Sequence, residues 1–208
     1  KDNEEFKSLY KEIEDSYGEI NDLANNIEKM IDLTLNLESL SMNNTDEFLS
    51  DLLQTSLKLI KKAEYGVVAK IEKNNLVFID SDGYEINKLN NLSLNRKSLE
   101  EIDGMKTLQE LNKTSSNLKS YQLNKLFDEY LKGNNDSLIV SFNNGQKKVG
   151  MICLTTNNEN IFNSNSQRIM SAFRGLANSF FKIQKYYQVE EEFQQELVVA
   201  VTQILEIH

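Results

Sequence analysis

The run Ser137-Leu138-Ile139-Val140-Ser141-Phe142-Asn143-Asn144-Gly145-Gln146-Lys147-Lys148-Val149-Gly150-Met151-Ile152-Cys153-Leu154-Thr155 decides the fold. Its two apolar arms are rich in β-branched and aromatic residues and flank a polar turn, which is the signature of a β-hairpin. Asn144-Gly145 sits at the bend, where glycine supplies positive φ without steric cost. The second arm, Val149 to Thr155, is apolar on both faces. Helices are therefore expected on both sides of the sheet.

Working outward, a second hairpin reads upstream. Tyr65 to Glu72 and Leu76 to Asp80 are its strands, Lys73-Asn74-Asn75 its turn, and Ser81-Asp82-Gly83 closes it. Before it, Phe48, Leu49, Leu52, Leu53, Ser56, Leu57 and Ile60 recur at helical spacing and define one apolar face. Asn44 or Thr45 can cap that helix, and Asp46 and Glu47 place negative charge in its first turn, where the helix dipole favours it. Lys61 and Lys62 close it. After the second hairpin, Ser164-Asn165-Ser166-Gln167 has the form of a capping box and opens a long helix. Ile169, Phe173, Leu176, Phe180, Ile183 and Tyr187 keep a rhythm of threes and fours. Polar residues from Gln188 to Gln195 interrupt that rhythm, and Phe193, Leu197, Val201 and Ile204 resume it. A continuous helix from Gln167 to His208 would be about 60 Å long, too long to pack wholly on one small domain. Between the hairpins, Ser98 to Leu111 and Tyr121 to Leu131 read as short helices.

At the other end, Phe6, Tyr10, Ile13, Tyr17, Ile20, Ala24, Ile27, Ile31 and Thr34 form an a/d seam. A stripe this narrow suits pairing with a second chain, and a parallel homodimer is expected. The expected division is a signalling helix over 1–43, a sensor domain over 44–187 and a linker helix over 188–208. The pattern at both ends leads us to expect a piece of a longer protein, with an output domain beyond His208.

Composition removes several classes of function. The chain has 208 residues, 39% hydrophobic and 26% charged, which supports one ordinary core with long solvated helices. Its formal charge is −9, with no basic stripe to neutralise phosphates, so nucleic acid is not an expected partner. A single cysteine, Cys153, and a single histidine, His208, leave no internal disulfide and too few soft ligands for a zinc, haem or iron–sulfur site. No cofactor is expected. The same histidine at the last position makes a Ser/His/Asp or Cys/His arrangement impossible to assemble. No glycine-rich phosphate loop is present. No run of roughly 20 apolar residues occurs, and no signal peptide, so we expect a cytoplasmic segment without membrane contact.

Several local motifs, in order, resemble those of GAF domains, a family of small-molecule sensors. Asn36-Leu37 through Asp46-Glu47-Phe48-Leu49 and Leu52-Leu53 looks like the family's leading helix. Ala63-Glu64-Tyr65-Gly66-Val67 resembles its passage into the first strand, and Asp82-Gly83-Tyr84 the Gly-Tyr that often follows the second. Lys148-Val149-Gly150-Met151-Ile152-Cys153-Leu154 resembles its penultimate strand, and Ile161-Phe162-Asn163-Ser164-Asn165-Ser166-Gln167 the start of its last helix. The likeness covers about Asn36 to Tyr187. One departure is Leu138 to Phe142, where many members have a Pro-Leu pair. The final stretch, Gln195 to His208, looks like the helix that leads into HD-GYP domains, which hydrolyse cyclic di-GMP; their metal ligands would follow His208.

These resemblances imply an α+β, GAF-like antiparallel sheet with helices on both faces, flanked by coiled-coil-type helices. They imply a regulatory sensor that binds an unknown small molecule and is not itself an enzyme, driving a cyclic di-GMP phosphodiesterase. A ligand-free dimerisation or spacer module is the alternative, as is the sensor of a diguanylate cyclase or histidine kinase. Candidate pocket residues are Phe78, Tyr84, Phe127 and Phe142, each also a natural core residue. Asn124-Lys125-Leu126-Phe127-Asp128-Glu129 carries the letters of a cyclic-nucleotide signature, but contiguously where the family separates them. It reads instead as a helix face around Leu126 and Phe127. Cys153, mid-strand in an apolar run, reads as a small buried hydrophobe. Asp80-Ser81-Asp82-Gly83 begins like a calcium loop but lacks the rest of the ligand ladder, and reads as a turn.

Overall fold

A computed structural model describes residues 44–91, 94, 96, 99, 105–107, 136–158 and 161–206, with the isolated positions Lys11 and Gly18. The chain divides into two units, Lys1–Ser39 and Leu40–His208. Lys11 and Gly18, in the first, are helical and exposed; the apolar seam from Phe6 to Thr34 lies outside the described residues.

Among the described residues, the second unit is built on one sheet of five strands: β1 (Tyr65–Glu72), β2 (Asn75–Asp82), β3 (Met105–Thr107), β4 (Asp136–Asn144) and β5 (Lys147–Thr156). Their spatial order is β2-β1-β5-β4-β3, and every pairing is antiparallel. The doubly apolar strand β5 lies at the centre of that order. Three described helices accompany the sheet: α1 (Thr45–Leu59), α2 (Ile86–Asn90) and α3 (Ser164–Glu206).

Both hairpin turns follow from backbone sterics. Lys73 and Asn74 have φ of 47° and 77°, so the β1–β2 loop has positive φ at both central residues, as a two-residue hairpin loop matching strand twist requires. In the β4–β5 loop only Gly145 has positive φ, at 63°, and Asn144 remains in the strand. Gly83, at φ 79°, ends β2; a Cβ there would meet the Tyr65 ring at 2.2 Å, so no other residue fits.

Helix α1 starts where the sequence indicates. Asn44 Oδ1 accepts from the Glu47 amide at 3.3 Å, while Asn44 Nδ2 donates to the Glu47 carboxylate at 2.6 Å. Of the two capping candidates Asn44 therefore caps, and Thr45 Oγ1 instead accepts from Gln184 on α3. Ser56, fully buried in mid-helix, donates to the Leu52 carbonyl at 2.6 Å, which satisfies its hydroxyl. At α3 the capping residue is Asn163, one position before the Ser164 start of the expected box. Its side chain accepts from the Ser166 amide at 3.0 Å.

Helices α1 and α3 share one face of the sheet. Phe48 and Phe180 stack with centroids 3.9 Å apart. Beneath them Leu138, Val140, Phe142, Ile152 and Leu154 are completely buried. The opposite face carries a second cluster, formed by Val67, Ala69, Leu76, Phe78, Ile139, Met151 and Cys153 with Leu89, Leu94 and Leu99 laid over them. Helices thus cover both faces.

One reading of the middle segment changes. Within Ser98–Leu111, expected to be helical, Met105–Thr107 is a strand paired with Leu138–Val140. The unsatisfied edge of β4 outweighs the local helical pattern there. The short helix α2 has only five residues, fewer than a periodic pattern needs to declare itself. The stretch Tyr121–Leu131 lies outside the described residues.

Helix α3 runs unbroken for 43 residues, about 64 Å, through the polar interruption at Gln188–Gln195. That interruption changes what the helix presents, not whether it is a helix. Up to Phe181 its large residues Ile169, Met170, Phe173, Phe180 and Phe181 are buried. Beyond it Ile183, Tyr186, Tyr187, Val189, Phe193, Leu197, Val198 and Val199 are between 42% and 65% exposed. No helix among the described residues is long and apolar enough to cross a membrane.

Candidate functional site

The sheet face away from α1 and α3 carries a row of hydroxyl and thiol groups. Strand alternation and register place them. Val67, Cys153 and Ile139 are cross-strand partners on this face. One position along, Tyr65 pairs with Thr155 and Thr155 with Ser137. Side chains two apart share a face, so Ser137, Ile139 and Ser141 of β4 and Met151, Cys153 and Thr155 of β5 all look the same way.

Tyr84 reaches this row from the turn after β2. Its hydroxyl shares a short hydrogen bond with Thr155 Oγ1, its carbonyl accepts from Ser81 Oγ at 3.0 Å, and its ring lies 5.7 Å from that of Tyr65. Ser137, directly across from Thr155, is fully buried, and its Oγ has no hydrogen-bond partner among the described residues. A buried hydroxyl without a partner is uncommon, because it forfeits water without compensation.

At the far edge, β2 is closed by a side chain. Asn90 Oδ1 accepts from the Phe78 amide at 2.7 Å and Asn90 Nδ2 donates to the Phe78 carbonyl at 3.1 Å. One asparagine thereby imitates a neighbouring strand. Leu94 and Arg96 continue the pairing, with backbone bonds between Leu76 and Leu94 and between Arg96 and Asn74. The exposed edge is removed, and Leu89 and Leu94 are held down over the face.

A bulge aims Phe78. The register passes from Val68↔Asp80 to Ala69↔Phe78, so Ile79 is an extra residue. Phe78 and Asp80, two apart, consequently face opposite ways. Phe78 joins the cluster with Ala69 and Met151, whereas Asp80 accepts from Ser50 and Gln54 of α1. This use of Asp80 also disposes of the calcium-loop likeness. Among the described residues no group of three potential metal ligands exists.

Of the four residues singled out from sequence, Phe78 and Tyr84 are therefore brought to one face. Phe142 is on the other, against Phe181 of α3 at 6.3 Å between centroids. Phe127 lies outside the described residues, as does the whole run Asn124–Glu129. Ser137, Thr155 and Asn90 were not singled out. Small polar residues inside apolar strands were the available signal for the first two; the role of Asn90 depends on a contact twelve residues away.

The groups of this face stay neutral. Burial raises the Tyr84 hydroxyl well above its ordinary range, and burial alone does the same to the Cys153 thiol. Their chemistry is that of hydrogen-bond donors and acceptors rather than nucleophiles. For Cys153 this implies a pH dependence. The folded thiol keeps its proton where the unfolded chain, above about pH 8.5, loses it. The contribution is complete below that pH and is lost as pH rises, at about 1.4 kcal/mol per pH unit. The urea midpoint should fall accordingly between pH 8.5 and 10, and Cys153→Ala should flatten that decline. An equal slope in both proteins would show that the thiol is not the source.

Comparison with known proteins gives a fold. No protein-family model matches the chain, and no curated protein matches it. Solved structures do. The GAF domain/HD domain protein from Geobacter sulfurreducens aligns with a TM-score of 0.53 at 18% identity, over 70% of this chain and 96% of that one. The GAF domain of a phosphoenolpyruvate-protein phosphotransferase from Coxiella burnetii aligns at 0.58 and 9%, over 80% and 98%. The GAF domain of a putative sensor histidine kinase from Pseudomonas syringae pv. tomato aligns at 0.54 and 13%, over 89% and 98%. The architecture is thus GAF-like α+β, and its structural neighbours are GAF domains of bacterial signalling proteins.

Proposed function

We propose that this domain is the regulatory sensor of a cytoplasmic signalling protein, and that a small uncharged or weakly polar molecule binds on the hydroxyl-lined sheet face. The observation that carries the reading is Ser137: a fully buried Oγ without a partner, beside the Tyr84–Thr155 pair. A ligand that donates to or accepts from these hydroxyls would remove the cost of the orphan. Phe78 and Tyr84 would supply apolar and aromatic contact. A ligand with unequal affinity for two packings of the domain shifts their populations, and about 1–3 kcal/mol of difference gives 5–150-fold coupling.

The output would be reached through α3. Its exposed apolar residues from Ile183 to Val199 support pairing with a second copy in parallel. A cyclic di-GMP phosphodiesterase beyond His208 is the output we favour. The Geobacter neighbour joins a GAF domain to an HD domain, and Gln195–His208 resembles an HD-GYP lead-in. The Pseudomonas neighbour supports a histidine kinase as the alternative. A ligand-free spacer is the second reading, favoured by how completely Phe78, Leu89, Leu94 and Leu99 are buried over the same face.

Thermal melting against cyclic nucleotides, amino acids and nucleobases separates the two. A sensor should gain stability from at least one compound; occupancy at 100 times Kd contributes about 2.7 kcal/mol, several degrees in Tm. Thr155→Val should abolish that gain. A flat response to the whole panel at millimolar concentration would favour the spacer. The pairing is checked separately by sedimentation. A dimer is expected at about 100 μM, an order-of-magnitude choice well above the Kd of a stable helical interface. Leu197→Glu with Val201→Glu should yield monomer; a wild-type monomer would sink the pairing.

A further inference from the structure

At the end of the sheet where both hairpins turn, a cavity of about 310 Å³ opens beside α3. Its charge is unlike that of the chain around it. The chain carries 32 acidic against 23 basic residues, yet Arg96, Lys147 and Lys185 line this cavity and, among the described residues, no carboxylate does. Among the described residues none of the three is paired with an acid. The Arg96 Nε is buried and has no hydrogen-bond partner. Three like charges converging on one space repel one another and persist at a cost unless an anion joins them.

The walls are held from several sides. Asn144 donates to the Phe181 carbonyl at 3.1 Å, tying the β4–β5 turn to α3. Gln184 donates to Thr45 Oγ1 at 2.7 Å, tying α3 to the start of α1. The Arg96 amide donates to Asn74 at the tip of the other hairpin. Phe181 and Val149 give the cavity an apolar side. The volume is at the small end of ligand pockets, which run from about 300 to 1,000 Å³.

We infer that this cavity binds a phosphate-bearing small molecule no larger than a mononucleotide, at a site separate from the hydroxyl-lined face. Arg96 would offer its planar fork and the two lysines point charges to the phosphoryl oxygens. Phe181 and Val149 would meet the apolar part of the ligand. The three cations come from three different parts of the chain: the segment beyond α2, the β4–β5 turn and the exit of α3. One anion bridging them would fix α3 to the sheet at the point where the helix leaves it. Such a ligand would therefore act directly on the helix that carries the output.

Titration calorimetry of the whole chain with sodium pyrophosphate and with adenosine monophosphate, at matched ionic strength, tests this. Saturable one-to-one binding of at least one probe is expected. Loss of a charge-assisted contact should weaken it about tenfold or more in Arg96→Gln. Lys147→Gln with Lys185→Gln, at exposed positions that keep the fold, should weaken it further. Thr155→Val should leave it unchanged, which separates this site from the sheet face whether or not that face has a ligand. Absence of saturable binding by both probes would overturn the proposal. So would affinity unaltered in the lysine double variant.

Discussion

Phe142→Ala is expected to destabilise the domain by about 3–5 kcal/mol, the range for removing a buried phenyl ring. In Tm this is a fall on the order of 10 °C. The ring is completely buried and tilted against Phe181. It also covers Gly150, where a Cβ would approach it to 3.2 Å and would meet the Ala69 carbonyl at 2.5 Å. Nothing nearby can collapse into the vacated space without moving the sheet or α3, so the cavity cost is fully felt. Urea unfolding measures the effect. The variant should retain any ligand response belonging to the opposite face, because strand alternation separates the two by the thickness of the sheet. A loss below about 1 kcal/mol, of the size seen for exposed sites, would contradict this placement.

Asp136→Ala should cost about 3 kcal/mol, from two hydrogen bonds to a charged acceptor. Asp136 is only 7% exposed, and its Oδ2 accepts from the amides of Ile161 at 2.8 Å and Phe162 at 3.0 Å. These bonds join the first residue of β4 to the turn that launches α3. Alanine leaves both amides without a partner in a buried place, which is worse than never having had one. Asp136→Asn keeps an acceptor oxygen and should lose only about half as much. Besides the shift in urea midpoint, amide exchange at Ile161 and Phe162 should speed up before global unfolding does. If both variants match the wild type, the carboxylate does not anchor α3.

The sites of these two predictions differ in how far the sequence announces them. Phe142 was legible as a buried strand residue, but not which side it buries. A single inserted residue exchanges the faces of everything after it. The bulge at Ile79 does this between Phe78 and Asp80, so a count along β2 puts both on one side. Asp136 was not legible at all. A lone aspartate before a strand resembles turn punctuation, and its partners lie 25 and 26 residues away. Much the same holds for Asn90, whose side chain stands in for a strand.

The candidate site divides similarly. Tyr84 follows Gly83, where the positive φ and the nearby Tyr65 ring both exclude a Cβ, and that local pair was visible. The meeting of Tyr84 with Thr155, 71 residues away, was not. The three cations of the second cavity are unremarkable in the chain and acquire meaning only when both hairpin tips arrive at one end of the sheet.

What the sequence determined by itself is therefore local: four strands, two hairpin turns, the helix from Thr45 and the long helix from Ser164. Each rests on periodicity, φ preference or capping, which act over a few residues. Tertiary structure decided the pairing of β3, the face that Phe78 and Phe142 each occupy, the orphaned hydroxyl of Ser137 and the unpaired charges around Arg96. These depend on register and on contacts across the sheet, and no short-range rule carries that information.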